Sequence, residues 1–205
     1  LLSEKIFRHN LNTSYEKDVL VYKETDNEFY TGVYRSKSGK FIIIWNSSTL
    51  VSDYHILNTD NPNGNFISFT SRGEKHEYDI AHYSDKFYIM TNYNAKNNRL
   101  METPDDATDI SNWKEIISHN QNVHLLDMEI FENYLVLNHR KNGLRGIRII
   151  NQTNQKNDTL DFGENTYAAF FSTNKEFNTS VLRYSYSSLV TPWSTYDYNM
   201  KTGEK

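Results

Sequence analysis

The feature that most constrains this chain is an internal repeat. Short runs rich in Val, Ile, Tyr and Phe alternate with clusters of Asn, Asp, Ser, Gly and Lys, which is the chemistry of strands and turns. The first run of each repeat begins at residue 29, 79, 125 or 168, so successive starts are 50, 46 and 43 residues apart. A period of roughly 40–50 residues in an all-β chain is typical of the four-stranded blades of a β-propeller.

Strand candidates divide the chain into blade-sized units. We predict three whole blades, near residues 29–70, 79–119 and 125–162. Partial blades are predicted at both ends, two strands within 5–24 and three within 168–200. The predicted fold class is therefore all-β, with residues 1–205 forming one incomplete β-propeller domain of about three full blades plus partial ones.

An incomplete ring leaves strand edges open. A propeller protects its edges by closing, so we expect the terminal blades to pair with another chain, including a second copy of this one. The alternative fold is a β-sandwich, which also has short strands and frequent turns but does not require a regular repeat. The 15 Tyr, 11 Phe and 3 Trp suit many half-exposed strands, because Tyr can fill an interface while its hydroxyl stays hydrogen-bonded.

Composition argues against several classes of partner. The net charge is -4 without a long block of one sign, which argues against a nucleic-acid binder. The longest apolar run, Phe41–Trp45, is far too short to span a membrane. The absence of Cys excludes disulfides and Cys-based zinc sites. The first residues lack the apolar core of a signal peptide, so we expect a cytoplasmic protein, with a periplasmic one as the alternative.

The sequence predicts no catalytic residue in this chain. A nucleophile elbow needs Gly-x-Ser-x-Gly, because a strained turn must expose the serine hydroxyl. None of the eight glycines stands two residues before a serine. A triad assembled from scattered residues is the minor alternative, since such triads are recognised by geometry rather than by order.

No metal or cofactor site is predicted either. His76, Glu77, Asp79 and His82 cluster within seven residues. On a strand, His76 and His82 would share a face but lie about 20 Å apart, too far to chelate one ion. We expect polar residues at a blade entrance there, with Tyr78 packing inward.

Other polar and aromatic groups have structural interpretations. Residues 143–146 resemble a turn between the second and third strands of a blade rather than a phosphate loop. A basic hairpin tip that could steer acidic peptides is formed by Arg140, Lys141, Arg145 and Arg148. Two histidines are expected on the loop between blades, His119 and His124, and a connection between strands is expected at Ser187, Ser188, Thr191 and Pro192. The three tryptophans are expected to pack between blades: Trp45, Trp113 and Trp193.

Two segments carry a resemblance that is more specific than the strand and turn pattern. The first is Phe7-Arg8-His9 followed by residues 18–26, and the second is residues 182–188 followed by Thr191-Pro192 and residues 198–204. Both resemble the propeller of oligopeptidase B-type serine peptidases of the prolyl oligopeptidase family. Shorter matches stand between them in the same order: His76–Tyr78, His82-Tyr83, Gly143-Leu144 and Ile149–Asn151. The resemblance thus covers essentially the whole chain.

The resemblance implies a larger parent protein. In that family a seven-bladed propeller caps an α/β-hydrolase domain with a Ser-Asp-His triad, and oligopeptidase B cleaves short peptides after Arg or Lys. This chain would be the later half of the propeller, with the hydrolase domain absent and no catalytic residue of the family mapping onto it. The expected function is non-catalytic gating of short peptides, with the hydrolase domain and those peptides as partners.

Two other functions compete with this one. A stand-alone propeller could serve as a protein-interaction scaffold, although the Gly-His and Trp-Asp pairs of WD-type blades are missing. A glycosidase propeller would need carboxylates on several inner strands. Asp79, Asp127 and Glu129 begin to fit that pattern, but the run Ala168–Phe171 supplies no carboxylate.

Overall fold

The strand-forming runs fold into five antiparallel sheets in the computed structural model, which describes residues 4–72 and 76–205. In those residues the strands are β1 (Lys5–Arg8), β2 (Val19–Lys23), β3 (Tyr30–Arg35), β4 (Phe41–Ser47), β5 (Ser52–Asn58), β6 (Ile67–Ser68), β7 (Tyr78–Tyr83), β8 (Lys86–Thr91), β9 (Arg99–Pro104), β10 (Lys114–Ile117), β11 (Val123–Ile130), β12 (Tyr134–Lys141), β13 (Leu144–Asn151), β14 (Asn157–Thr159), β15 (Tyr167–Phe171), β16 (Val181–Ser188) and β17 (Ser194–Asn199). Two single 3-10 turns, Tyr15–Lys17 and Ile110–Asn112, accompany them. None of the helical segments in this part of the chain is long and apolar enough to cross a membrane.

Each sheet keeps its strands in chain order. The three four-stranded sheets are β3–β6, β7–β10 and β11–β14, and they stand between a pair, β1–β2, and a triplet, β15–β17. Sheets of four antiparallel strands that follow one another along the chain are propeller blades. The predicted all-β, incomplete propeller is confirmed.

Local turn chemistry sets the register of the blades. The β12–β13 hairpin turns at Asn142 and Gly143, both at positive φ (52° and 83°), and pairs Lys141 with Leu144. Asn-Gly favours this two-residue turn because its twist matches that of the strands. The turn is therefore shorter than the predicted 143–146: Leu144 to Gly146 already belong to β13.

The core lies between blades rather than within them. One face of β4 and β5 packs on β7 and β8, with Ile43, Ile56, Phe87 and Ile89 almost fully buried. A second cluster joins the blades β7–β10 and β11–β14, and a third joins β11–β14 to β15–β17. Burying one such side chain is worth about 1.5–3 kcal/mol, so adjacent blades stabilise one another.

The third whole blade ends earlier than residue 162, the predicted end of that unit. Its fourth strand is β14 at Asn157–Thr159. Leu160 is buried and Phe162 packs on the Tyr167 ring, so these apolar side chains fill the space beneath a connection instead of extending the strand. In the second whole blade, Asp109 caps the 3-10 turn Ile110–Asn112, which leads into β10.

The first strand of each sheet lies toward the propeller axis. β3, β7, β11 and β15 are each the first strand of their sheet, and β7 and β11 approach each other. Strands that head neighbouring blades and converge in this way line the central channel. These strands therefore position the candidate site.

Candidate functional site

Acidic side chains gather on the inner strands. Asp79 on β7 and Asp127 on β11 are both exposed on this wall, and Glu129 follows two residues later on β11. The Tyr54 hydroxyl donates to Asp79 Oδ1 at 3.0 Å. The structure thus places on neighbouring strands the three carboxylates that the sequence pattern singled out.

These carboxylates affect one another. Desolvation raises the pKa of Asp127 to about 6, and the charges of Asp79 and Glu129 add to that rise. Desolvation also raises the pKa of Asp79, against the Tyr54 hydrogen bond that lowers it. Like charges that share a partly desolvated wall hold their protons more tightly. This part of the inner wall therefore carries carboxyl groups whose pKa values are raised above their ordinary range.

Lys37 neutralises one of the carboxylates from a distant blade. It stands in the turn between β3 and β4, and its Nζ lies 2.8 Å from Glu129 Oε1 and 3.7 Å from the centroid of the Phe131 ring. The Lys37 and Glu129 side chains are only 12% and 21% exposed. Burial lowers the pKa of Lys37 and raises the pKa of Glu129. The ion pair opposes both shifts, because Glu129 raises the pKa of Lys37 and Lys37 lowers the pKa of Glu129. This ion pair skips the blade β7–β10 entirely.

The same turn makes hydrogen bonds to the neighbouring blade, β7–β10. Ser38 Oγ lies 2.7 Å from His82 Nδ1, and His82 Nε2 lies 3.1 Å from Asp105 Oδ2. Lys40 completes the group with an ion pair to Asp105. Ser38, His82 and Asp105 therefore form a chain of hydroxyl, imidazole and carboxylate groups. This is the combination that a catalytic triad assembled from scattered residues would need.

The surroundings of this chain are those of a structural clamp. His82 is 2% exposed, and burial lowers its pKa, which favours the neutral imidazole. Asp105 shares its charge with Lys40, while the Gly39 amide donates to the Ser36 carbonyl at 2.8 Å. An acyl-transfer site needs amide donors aimed at the developing oxyanion and access for the substrate. The group, hereafter the blade clamp (Ser38, Lys40, His82 and Asp105), joins two blades.

A second charged network joins the first partial blade to the first whole one. The Arg72 guanidinium lies 2.6 Å from Glu24 Oε2 and 2.6 Å from Asp53 Oδ2. Burial alone would raise the pKa of Glu24, but Arg72 and the amide of Asp26 hold it at about 2. Both carboxylates are 4% exposed, and charge-assisted bonds offset the cost of burying them.

The histidine cluster is split between different contacts. His76 stacks on Tyr78, with ring centroids 5.4 Å apart, whereas His82 belongs to the blade clamp. Over residues 4–72 and 76–205, no group of three or more His, Cys, Asp or Glu side chains is placed to hold a metal ion. The expectation for His124 was wrong, because it lies on β11 rather than on a loop.

The basic side chains of the β12–β13 hairpin make separate contacts and do not form one patch. Arg145 lies over the Phe170 ring at 4.4 Å, and Arg148 Nε donates to Asn157 Oδ1 at 2.8 Å. Arg140 stands opposite Arg145 in the β12–β13 ladder, with one amine 3.4 Å from His124 Nδ1. The cations thus serve separate contacts.

The β16–β17 connection and two of the three tryptophans have the structural roles predicted for them, and Trp193 does not. Ser188 Oγ accepts from the amides of Val190 and Thr191, so it shapes the β16–β17 connection. Trp113 is buried in the core and Trp45 packs against it. Trp193 departs from its predicted role: it is 62% exposed and rests on Phe170 of its own blade.

The contacts of the β3–β4 turn could not be predicted from the sequence. Lys37, Ser38 and Gly39 have the composition of an ordinary turn, and Gly39 at φ +80° has the conformation that favours glycine there. The partners of Lys37 and Ser38 lie 92 and 44 residues away. A single sequence carries no signal for contacts at that separation.

Comparison with known proteins places this architecture in a family. Residues 2–205 match the family model described as prolyl oligopeptidase, N-terminal β-propeller domain. Oligopeptidase B from Trypanosoma brucei, in a closed form with covalently bound antipain, superposes with a TM-score of 0.90 at 27% identity, covering 99% of this chain and 30% of that one. Oligopeptidase B from Leishmania major, at 22% identity and a TM-score of 0.88, shares the fold over 99% of this chain and 30% of its own.

Curated relatives agree. Dipeptidyl aminopeptidase BI of Pseudoxanthomonas mexicana is 36% identical over 206 residues, which are 100% of this chain and 28% of the relative. Protease 2 of Moraxella lacunata is 30% identical over 98% of this chain and 29% of its own length. The chain therefore spans under a third of each of these relatives, in which such a propeller sits with a hydrolase domain. This chain belongs to the prolyl oligopeptidase family, as part of its N-terminal β-propeller domain.

Proposed function

We propose that this chain is the non-catalytic, peptide-gating portion of the propeller of an oligopeptidase B-like serine endopeptidase. The observation that carries the proposal is its blade arrangement, which follows that of a closed oligopeptidase B over 99% of the chain. The triad and the substrate-binding groups would then come from a hydrolase domain elsewhere in the parent chain. The elbow motif does not occur in this sequence, and the imidazole of the blade clamp, His82, is buried, in keeping with that division of labour.

Gating follows from the shape of a propeller. A channel bounded by inner strands admits an extended peptide but not a folded domain, because domains are tens of ångströms across. The acidic wall at Asp79 and Asp127 favours cationic segments of a peptide. In the parent, such a filter would protect folded proteins from the hydrolase and admit short basic peptides, which suits cleavage after Arg or Lys.

A second candidate concerns the parent's mode of cleavage. The relative that is 36% identical is named a dipeptidyl aminopeptidase, whereas the other similar proteins are named protease and oligopeptidase. An aminopeptidase needs the free amino terminus of its substrate, and an endopeptidase does not. Blocked and unblocked peptides therefore distinguish the two parents.

The test compares this chain with the full-length parent on fluorogenic peptides that end in Arg or Lys. We expect hydrolysis by the parent, inhibited by a serine-directed reagent, and none by residues 1–205 alone. Cleavage of amino-terminally blocked peptides supports the endopeptidase, and cleavage of free ones only supports the aminopeptidase. Inhibitor-sensitive cleavage by residues 1–205 would overturn the non-catalytic role and would point to Ser38.

A further inference from the structure

The Lys37–Glu129 ion pair joins blades that are not neighbours. Lys37 belongs to the blade β3–β6 and Glu129 to the blade β11–β14. Around the axis, the inner strand β7 stands between β3 and β11. Propeller blades ordinarily meet only their immediate neighbours, so a contact that skips a blade must pass in front of its inner strand.

The position of this contact is the mouth of the channel. In every blade the connection between the first and second strands emerges on the same face, because the strands alternate in direction. Ser38 reaches His82 close to the β7–β8 turn, and Glu129 is the second-last residue of β11. The Lys37 side chain therefore lies across the channel opening on the face that carries these turns.

The turn that presents Lys37 is anchored on both sides. The Phe41 amide donates to Ser36 Oγ at 3.0 Å, and the Ser38 and Lys40 side chains are held in the blade clamp. The Lys37 side chain extends past the clamp and reaches Glu129. Its bond to Glu129 is half-buried and it lies against an aromatic ring, which makes the contact stronger than an exposed ion pair but still breakable.

We propose that Lys37 is a specificity-determining residue: its ion pair with Glu129 narrows this mouth of the channel and limits the thickness of the peptide chain that passes. The inference rests on the proposed gating function and names the residues that perform it. A short peptide passes while the ion pair is intact, whereas a long or bulky peptide passes only when the ion pair is broken.

The experiment uses the full-length parent and three variants, Lys37→Ala, Glu129→Gln and Lys86→Ala. The kcat/KM values are measured for a short fluorogenic peptide and for a peptide of about 30 residues with the same cleavage site. We expect Lys37→Ala and Glu129→Gln to raise the long-to-short ratio about fivefold, as loss of a barrier of about 1 kcal/mol would. Lys86→Ala is the matched control, because it removes a cation that pairs with Glu102 inside a single blade and takes no part in holding the β3–β4 turn.

Charge exchange provides the second arm. Lys37→Glu combined with Glu129→Lys should return the ratio toward the wild-type value, which a merely structural role of either residue would not predict. An unchanged ratio in both single variants, with short-peptide cleavage intact, overturns the inference and leaves the gating function standing. Failure of the wild-type parent to cleave any peptide removes the proposed function and this inference together.

Discussion

At the scale of single residues, two glycines have different reasons for being glycine. Gly32 on β3 stands under the Trp45 indole, and a Cβ there would lie 2.6 Å from three atoms of that ring system. Gly143 has open space around it but a φ of +83°. The first position is limited by packing and the second only by backbone conformation.

Gly32→Ala should therefore destabilise the fold by about 1–3 kcal/mol, the usual cost of overpacking. Gly143→Ala should cost about 1 kcal/mol, because it meets only the left-handed backbone penalty. Denaturant unfolding of both variants checks the order. A smaller loss for Gly32→Ala than for Gly143→Ala would mean that the Trp45 ring moves aside freely.

The Glu24 carboxyl gives a prediction about acid stability. Its pKa in the folded protein is about 2, below its ordinary value near 4.5. A carboxyl with a depressed pKa contributes stability that is fully present above the unfolded pKa and is lost as the pH falls toward the folded one. The wild type should lose on the order of 2–3 kcal/mol between pH 5 and pH 2 through this group alone.

Glu24→Gln removes that loss along with the ion pair to Arg72. Its unfolding free energy should be lower than that of the wild type at pH 7 and should converge on it as the pH approaches 2. The control is Glu28→Gln, which makes the same substitution at an exposed position. A constant gap between Glu24→Gln and the wild type across this range would contradict the coupling.

At the scale of elements, the β3–β4 turn acts through a few hydrogen bonds. Ser38→Ala leaves the buried His82 Nδ1 without the hydroxyl at 2.7 Å, and an unpaired buried polar atom costs about 1–3 kcal/mol. We expect that loss of stability in chemical unfolding, with no change in reactivity toward a serine-directed probe. Ser48→Ala, in the β4–β5 connection, is the control and should cost under 1 kcal/mol. Loss of probe labelling in Ser38→Ala would instead assign a nucleophile to the clamp.

The elements themselves could be predicted from sequence because their determinants are local. Over residues 4–72 and 76–205, every strand overlaps one of the predicted blade units, since turn residues such as Asn142 and Gly143 and alternating apolar runs are readable along the chain. Phe162 shows the limit, because an apolar side chain in a loop has the same local pattern as one at a strand end. Asp79, Asp127 and Glu129 were found as inner-strand carboxylates for the same local reason. Lys37 was missed because its importance depends on the curvature of the whole ring.

At the scale of the whole molecule, the open ends of the blade series decide how this chain behaves alone. In the described residues β17 is paired only with β16, and β1 only with β2, so each leaves one ladder of backbone groups unpaired. Phe7 on β1 and Val181 on β16 are also 53% and 38% exposed. In a complete propeller, the remaining strands of these two blades would pair with such edges; in residues 1–205 alone a second copy can do so.

We therefore expect residues 1–205 to self-associate, with a molar mass from light scattering that rises with concentration toward that of a dimer. Thr195→Lys, an exposed position on the open strand β17, should shift that rise to higher concentration, because a charge on an edge strand opposes pairing. Thr153→Lys adds the same charge in the exposed β13–β14 connection and should leave the association unchanged. A monomer at every concentration would show that the edges protect themselves, whereas equal effects of the two lysines would attribute the association to net charge rather than to strand pairing.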